Sequence, residues 1–152
     1  MYITRAERSP MLRVSDRAAY NWLWTQAPCS WLNKVEIEFR EVAFENLEPA
    51  TTLKHWDVLA TWTRQIACRR IVPPLIVTET GRDTYYIQDG NHRYHAMKIC
   101  YHGQLRRMRL RVAVMKPRPG YRFAYRYFGA YGTYILQDER RGRTVRFRRT
   151  EG

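Results

Sequence analysis

The stretch "DTYYIQDGNHRYHAMKIC", residues 83–100, decides the fold because it predicts a strand, a glycine turn and a helix in direct succession. The run "TYYIQ" combines aromatic and β-branched residues, which favour strands. Gly90 follows at the turn, and glycine adopts backbone conformations that are closed to other residues. Helical spacing then continues up to Gly103, a residue suited to the position just past a helix end. We therefore expect a helix over 93–102 that leaves the strand directly at Gly90.

The glycine turn is also expected to bind an anion. Glycine leaves the backbone bare, and the following helix points its free N–H groups and the positive end of its dipole at the same place. His92 and Arg93 add two further donors, so phosphate is the expected ligand. The plainer alternative is that Asp89 and Asn91 cap the helix while His92 and Arg93 face solvent.

A metal site at the same turn is a weaker interpretation. Asp89, His92 and His95 have a spacing that places ligands on one helical face. No further strong ligand follows at a familiar distance, and no nucleophile lies in a recognisable strand-to-helix elbow. The sequence therefore predicts neither a metal site nor a Ser-His-Asp or Cys-His triad here.

Residues 72–99 resemble the ParB/sulfiredoxin superfamily, in which a strand beginning near proline, a second strand and a glycine turn precede a helix. The run "GNHRY" at 90–94 is similar to the G-C-H-R-Y of sulfiredoxins, where the turn holds ATP phosphates and the cysteine does the reductive chemistry. Asn91 stands where that cysteine would be, and an amide cannot form the thiosulfinate intermediate of sulfinic acid repair. Sulfiredoxin activity is therefore not expected. Chromosome-partitioning ParB proteins carry G-E-R-R in this turn and bind CTP.

What these branches share is nucleotide binding, so the resemblance implies a site for ATP or another NTP, with Mg²⁺. By position, the residues of the turn that it implicates in binding and catalysis are Gly90, Asn91, His92 and Arg93. Further phosphate contacts in the superfamily come from the loop and helix before the proline-rich strand. The candidates there are Thr51, Thr52, Lys54 and His55, with Glu48 as a base that activates water or a hydroxyl. Each of these is alternatively a capping or surface residue.

The composition predicts a folded, strongly basic chain. Its 152 residues are 45% hydrophobic and carry a formal net charge of +13. Such a charge favours a polyanionic partner, for which nucleic acid, and DNA rather than RNA, is expected over an anionic membrane surface. No run approaches the roughly 20 apolar residues of a membrane span, which suggests a cytoplasmic protein. The widely spaced Cys29, Cys68 and Cys100 indicate neither a disulfide framework nor a zinc ribbon.

The segment after Lys116 interleaves arginine with tyrosine and phenylalanine. Arginine neutralises phosphates and aromatic rings stack on bases, so this region is expected to bind nucleic acid with little sequence preference. The candidate contacts are Arg122, Arg126, Arg146, Arg148 and Arg149. The alternative is a sheet with its aromatic residues inward and its arginines outward, because alternation with a period of two predicts that equally well. A terminal hairpin is expected, with its turn at 138–143.

The remaining elements complete an α+β prediction. Alternation predicts strands at 35–42 and 108–115, and another strand begins just after Pro73 and Pro74. Helical spacing predicts helices over 17–26 and from Thr51 or Thr52 to residue 67, with Trp56 in the core. We expect a ParB/sulfiredoxin-like mixed sheet flanked by helices, in one domain over 1–152. Residues 1–34 would form a helical extension, 35–116 the core and 117–152 a basic, aromatic C-terminal region.

Three functions follow as hypotheses. The first is an ATP-binding and ATP-hydrolysing protein that acts on DNA, with nuclease activity as in some superfamily members. Plasmid or phage DNA transfer or partitioning would be a setting, as for fertility-inhibition factors of this fold, with a protein partner in that process. The second is a small-molecule kinase of the free-serine-kinase type, which leaves the net charge of +13 unexplained. The third is a non-catalytic DNA-binding adaptor.

Overall fold

The structure, a computed structural model, describes residues 12–26, 31, 33–50, 53, 55–128, 131–140 and 143–144. Within these residues the helices are α1 (Asp16–Thr25), α2 (Trp56–Ala67) and α3 (Asn91–Cys100). Over the same part of the chain, no helix has both the length and the apolar composition that crossing a membrane requires. The strands are β1 (Arg13–Val14), β2 (Val35–Ala43), β3 (Leu47–Glu48), β4 (Ile71–Val72), β5 (Ile76–Gly81), β6 (Thr84–Asp89), β7 (Arg109–Pro117), β8 (Tyr121–Phe128), β9 (Tyr131–Asp138) and β10 (Arg143–Thr144).

The main sheet has five strands in the order β2-β7-β5-β6-β3. The β2–β7 and β5–β6 pairs are antiparallel, whereas β5–β7 and β3–β6 are parallel. The predicted α+β class, with a mixed sheet flanked by helices, is therefore confirmed. The strands expected just after Pro74, at 84–88 and at 108–115 share this sheet, and the helix leaves β6 at Gly90 as expected.

The sheet is covered on both faces, and β7 shows why. Its residues Leu110, Val112 and Val114 are buried on one face, in a cluster with the inward residues of α2 and α3. Its intervening residues Ala113 and Met115 are buried on the other face, in a second cluster to which α1 and β9 contribute. An alternating strand whose two faces are both apolar is typical of a central position in a covered sheet. The two clusters fix α3 and the C-terminal strands on opposite sides of the main sheet.

The C-terminal strands form a separate antiparallel sheet in the order β10-β9-β8. The expected terminal hairpin is present where it is described, with Asp138 paired to Arg143. The sheet also contains β8, in agreement with the alternative that the alternation of aromatic residues and arginines forms a sheet. It packs against the main sheet, since Leu136 is buried in the second cluster and Phe123 contacts Trp31 edge-to-face at 5.2 Å.

The start of α2 corrects the sequence prediction. The helix begins at Trp56 with His55 as its N-cap, later than Thr51 or Thr52, which lie outside the described residues. Trp56 was expected in the core, and that expectation is wrong because the side chain is 67% exposed. Helical side chains tilt toward the helix N-terminus, so a residue at the first position projects beyond the packed turns. The exposed indole therefore lies at the end of α2 that carries His55.

Candidate functional site

Gly90 is required at its position by both the backbone and the packing. Its φ is +112°, in the region that side chains with a Cβ disfavour. A Cβ added there would lie 2.6 Å from Leu75 Cδ2 and 2.8 Å from Arg93 Nη2. The side chains of Leu75 and Arg93 therefore occupy the space next to Gly90 on the side that faces the core. The helix α3 begins at the next residue, Asn91.

The N-terminus of α3 has no side-chain cap. The first backbone bond of the helix runs from Tyr94 N–H to the Gly90 carbonyl at 2.8 Å, which leaves the N–H groups of 91–93 ahead of the helical ladder. Asn91 does not cap the helix, because its Oδ1 accepts a hydrogen bond from Ala50 N at 2.6 Å. Asp89 is likewise engaged elsewhere, by Arg93. The capping alternative is therefore not what the structure shows, since neither Asp89 nor Asn91 caps the helix.

A second helix N-terminus meets the first at this place. His55 is the N-cap residue of α2, which also lacks a side-chain cap, and its ring lies 5.9 Å from the ring of His92 in α3. Both helix dipoles place their positive ends here. The only acidic residue in the first turn of α2 is Asp57, which interacts electrostatically with His92. Two helix termini and two imidazoles make this a site suited to an anion.

Burial lowers the pKa of His92 below its ordinary value, and the neighbouring His55 lowers it further, against the opposing effect of Asp57. The Nε2 atom of His92 is buried and has no hydrogen-bond partner within the described residues. A neutral imidazole with a free ring nitrogen can accept a proton or donate a hydrogen bond to a ligand. His92 is therefore the side chain of the turn that is best placed for chemistry.

We expect the free energy of unfolding to decrease as the pH falls below about 6.5, the ordinary pKa of histidine. His92 and His95 both have lowered pKa values in the folded protein, first of all because of burial. The unfolded chain therefore binds more protons than the folded chain, and stability is lost on the acidic side. Urea denaturation at pH 7.5 and 5.5 measures this loss. The loss of stability between the two pH values should be smaller in His92→Gln than in the wild type. The control His102→Gln changes an exposed residue on the turn after α3 and should keep the wild-type loss. Equal losses in all three proteins would contradict the role of burial.

The side chain of Arg93 lies under the turn, and its expected role as a phosphate donor stays a prediction. Its side chain is only 7% exposed and lies on the inner side of the turn, where Nη2 donates to the Pro74 carbonyl at 3.2 Å and to Asp89 at 3.3 Å. The guanidinium also lies over the ring of Trp62 at 5.2 Å. Its Nε is buried without a partner in the described part of the chain. Arg93 thus connects the turn to Pro74 and to Trp62 of α2.

The loop candidates are only partly covered by the structure. Thr52 and Lys54 lie outside the described residues. Glu48 is described, and it ends the parallel strand β3 opposite Tyr86 of β6. Its exposed side chain lines a cavity of about 370 Å³. The other lining residues are Pro49, Ala50, Tyr86, Tyr125, Tyr127, Gly132 and Tyr134, and we call this space the tyrosine cavity.

The tyrosine cavity was not predicted from the sequence. The signal for Tyr125 and Tyr127 was present in the aromatic alternation of the C-terminal segment. Their meeting with Glu48 depends on how β8 and β9 pack on β6, and that packing joins residues far apart in the sequence. The Asn91–Ala50 hydrogen bond places this cavity beside the turn.

The two candidate arginines of β8 that the structure describes are both exposed. Arg122 and Arg126 alternate with Tyr121, Phe123 and Tyr125, so they project from the opposite face of the strand. The expected combination of phosphate contacts and base stacking is therefore divided between two faces. Arg146, Arg148 and Arg149 lie outside the described residues.

No protein-family model and no curated protein matches the chain. Among solved structures, a conserved hypothetical protein from Pyrococcus furiosus is 21% identical at a TM-score of 0.42, over 61% of this chain and 38% of that one. SbnI from Staphylococcus aureus is 22% identical at 0.40, over 57% and 34%. A free serine kinase in complex with AMP is 18% identical at 0.41, over 61% and 36%. The matched region is thus little more than a third of each of these proteins, and likeness at this level establishes no shared activity.

Proposed function

We propose that the protein binds ATP or another NTP at the Gly90 turn, hydrolyses it, and acts on DNA. The observation that carries this proposal is the meeting of two uncapped helix N-termini at His55 and His92. Free N–H groups and positive dipole ends bind phosphate without any side chain, and the imidazoles add to them. The resemblance of residues 90–94 to a nucleotide-binding turn supports the same ligand.

The proposal assigns roles to the residues of the turn and to two residues that precede α2. The N–H groups of 91–93 bind the phosphates, with Thr52 and Lys54 as further donors from the preceding loop. His92 accepts the proton of the attacking water, because its pKa is lowered by burial and it is neutral near pH 7. Asn91 acts as a positioning residue through its bond to Ala50. Glu48 is not retained as the base, because it lies in the tyrosine cavity and not among the groups that act on His92.

The described residues could hold a magnesium ion only together with the phosphates of a bound nucleotide. No group of three or more potential ligands that could hold a metal occurs within the described residues. Mg²⁺ is commonly held by one or two carboxylates together with the phosphates of the substrate. Asp57, which interacts with His92, is the carboxylate that would hold it, and the ion would neutralise phosphate charge.

A thermal-shift and binding panel tests the proposal. ATP, ADP, CTP, GTP and inorganic tripolyphosphate are compared with and without Mg²⁺, and a ligand at 100 times its Kd adds about 2.7 kcal/mol of stability. Lys54→Gln should weaken binding of all the phosphates, and His92→Gln should reduce phosphate release more than binding. Arg82→Gln, an exposed arginine in the turn between β5 and β6, serves as the matched charge control. The absence of any shift with every ligand would overturn the proposal.

DNA is proposed as the partner because of the net charge of +13 and the exposed arginines of β8. Log affinity for DNA is expected to fall linearly with log salt, with a slope of about −0.7 to −0.9 for each phosphate neutralised. The double variant Arg122→Gln with Arg126→Gln should flatten the slope by about 1.4–1.8 and leave nucleotide affinity unchanged. The measurement is fluorescence anisotropy of labelled DNA at several salt concentrations.

The control for this prediction removes the same charge elsewhere. Arg106 and Arg107 are exposed on the turn before β7, and their double replacement by glutamine should leave the slope near the wild-type value. If both double variants flatten the slope equally, binding is spread over the basic surface and β8 has no special part in it.

The kinase of the free-serine type stays as the second candidate, and the DNA-binding adaptor as the third. A kinase would turn over ATP only with a small hydroxyl compound and would be indifferent to DNA. An adaptor would bind DNA and no nucleotide. Phosphate release measured with and without DNA, and with and without free serine, distinguishes the three.

A further inference from the structure

The tyrosine cavity has the size and lining of a ligand site. Its volume is about 370 Å³, within the range of about 300–1,000 Å³ that is usual for small-molecule pockets. Four tyrosines from β6, β8 and β9 line it together with one carboxylate, that of Glu48. Aromatic walls with a single charged group are suited to a flat ligand that is held by stacking and oriented by one polar contact.

Hydrogen bonds join β6 and β9, two of the three strands whose tyrosines line the cavity. The hydroxyl of Tyr86 donates to the Gly132 carbonyl at 2.7 Å, in a buried position. The side chain of Gln88 donates to the Tyr134 carbonyl at 2.9 Å and accepts from Thr133 Oγ1 at 3.2 Å. The absence of a side chain at Gly132 leaves room for the ring of Tyr125, which a Cβ at this position would overlap. A preformed cavity of this kind loses little conformational entropy when a ligand enters.

Two of the four rings remain open to a ligand. Tyr127 is 74% exposed and Tyr125 is 40% exposed, and their rings stand perpendicular at 5.2 Å. Tyr125 also contacts Tyr134 at 5.1 Å, and Tyr134 contacts Tyr86 at the same distance, so the rings form a continuous series. Exposed aromatic rings on a strand give a stacking surface that accepts any base.

Glu48 is the charged residue in the lining of the cavity. Among the described residues its carboxylate has no hydrogen-bond or ion-pair partner, and it acts electrostatically on Tyr134, whose pKa is raised mainly by burial and further by Glu48. A carboxylate accepts hydrogen bonds and repels phosphate, so this cavity is suited to the base of a nucleotide and not to its phosphates. The exocyclic amino group of cytosine or adenine is the donor that matches it.

The cavity and the turn are joined by a short, fixed connection. Glu48 lies two residues before Ala50, whose N–H is bonded to the side chain of Asn91 at 2.6 Å. Two extended residues span about 7 Å at about 3.3 Å each. One nucleotide can therefore place its phosphates at the start of α3 and its base in the cavity.

We propose that the tyrosine cavity binds the base of the nucleotide held at the Gly90 turn, and that Glu48 selects bases with an amino group at the position where adenine and cytosine carry one. This inference rests on the proposed nucleotide site and adds its base specificity. It assigns Tyr125 and Tyr127 to stacking and Glu48 to recognition.

Matched nucleotide pairs test the selectivity. ATP and ITP differ in an amino group replaced by a carbonyl oxygen and in a proton added to the neighbouring ring nitrogen, and so do CTP and UTP. The wild-type protein should bind the amino member of each pair at least tenfold more tightly, measured by isothermal titration calorimetry. Glu48→Gln should bring both ratios to about one, because an amide can turn to donate to the oxygen.

The stacking role has its own variants and controls. Tyr127→Ala should weaken all four nucleotides by tenfold or more, while Tyr127→Phe should keep wild-type affinity. Neither should change the affinity for inorganic tripolyphosphate, which has no base. Tyr20→Ala, an exposed tyrosine of α1, is the control for loss of a surface ring and should leave every affinity unchanged.

The possible results separate this inference from the proposed function. If neither nucleotides nor tripolyphosphate bind, the nucleotide site itself is wrong. If they bind with equal affinity within each pair and Tyr127→Ala has no effect, the site stands and the cavity does not hold the base. If Glu48→Gln alters only the preference for oligo(dA) over oligo(dT), the cavity takes a base from single-stranded DNA, and our assignment to the bound nucleotide is overturned.

Discussion

Gly90→Ala is expected to lower the free energy of unfolding by about 2–5 kcal/mol. A residue with a Cβ in the left-handed region costs about 1–2 kcal/mol, and overpacking a filled core costs about 1–3 kcal/mol more. Both costs apply because φ is +112° and the new methyl group would lie 2.6 Å from Leu75 Cδ2. Chemical denaturation measures the loss, and the melting temperature should fall by about 2–4 °C for each kcal/mol in a chain of this size.

Gly103→Ala is the matched control for the backbone cost. Gly103 has φ of +91°, and a Cβ there would meet nothing within 4 Å. It should lose only about 1–2 kcal/mol. Combining Gly90→Ala with Leu75→Ala should cost less than the sum of the two single changes, because the shortened side chain makes room for the methyl group. If Gly90→Ala costs no more than Gly103→Ala, the turn is not closed by Leu75 as described.

Arg93→Ala is expected to lower the free energy of unfolding by about 2–4 kcal/mol. The substitution removes a buried charge-assisted hydrogen bond to the Pro74 carbonyl and leaves Asp89 without its partner. The loss is limited because the Asp89 side chain is partly exposed to water. The substitution also leaves empty the space between the turn and Trp62, because the guanidinium that lies over the Trp62 ring is removed. Urea denaturation at pH 7.5 measures the change.

Arg109→Ala is the control for the stability of Arg93→Ala, and the affinity for tripolyphosphate tests whether Arg93 binds phosphate. Arg109 forms an exposed ion pair with Glu41, and such pairs contribute about 0–1 kcal/mol. Under conditions where Arg93→Ala is folded, its affinity for tripolyphosphate should stay within about threefold of wild type. A variant of unchanged stability that has lost tenfold or more in affinity would show that Arg93 turns toward the phosphates, as its sequence position first suggested.

Local signals predicted the centre of the fold correctly. The strand, the glycine turn and the helix of residues 84–100 follow one another without a long loop, so propensity and periodicity were sufficient to place them. The alternation at the start of β7 was equally clear, because the exposed Arg109 and Arg111 flank the buried Leu110. The anion site was predicted by the same local argument, since a helix start after Gly90 fixes the direction of the free N–H groups, and it stays a prediction.

Side-chain directions and long-range pairing were beyond the sequence. A basic residue after the turn can face the ligand or fold under the turn, and only the packing of Pro74 and Trp62 decides for Arg93. Helical spacing placed Trp56 on the apolar face but could not tell that the helix begins at that residue. The tyrosine cavity required the registers of β3 on β6 and of β8 on β9, which no local pattern reveals.

The amides at the short edge strand β3 are expected to exchange their hydrogens faster than the amides of the neighbouring strand β6. Its two residues pair with β6 at the border of the sheet, and beyond them the Ala50–Asn91 bond is the described attachment. The amides of β6 that pair with β5 lie within the buried sheet and exchange when the core opens as a whole. Leu47 is buried in the core, but residues 48–50 can detach in a local opening that leaves Leu47 in place. A ligand that bridges the turn and the cavity would close that opening, so deuterium uptake at the amides of Glu48 and Ala50 would report occupancy of the site without any change in the protection of the core.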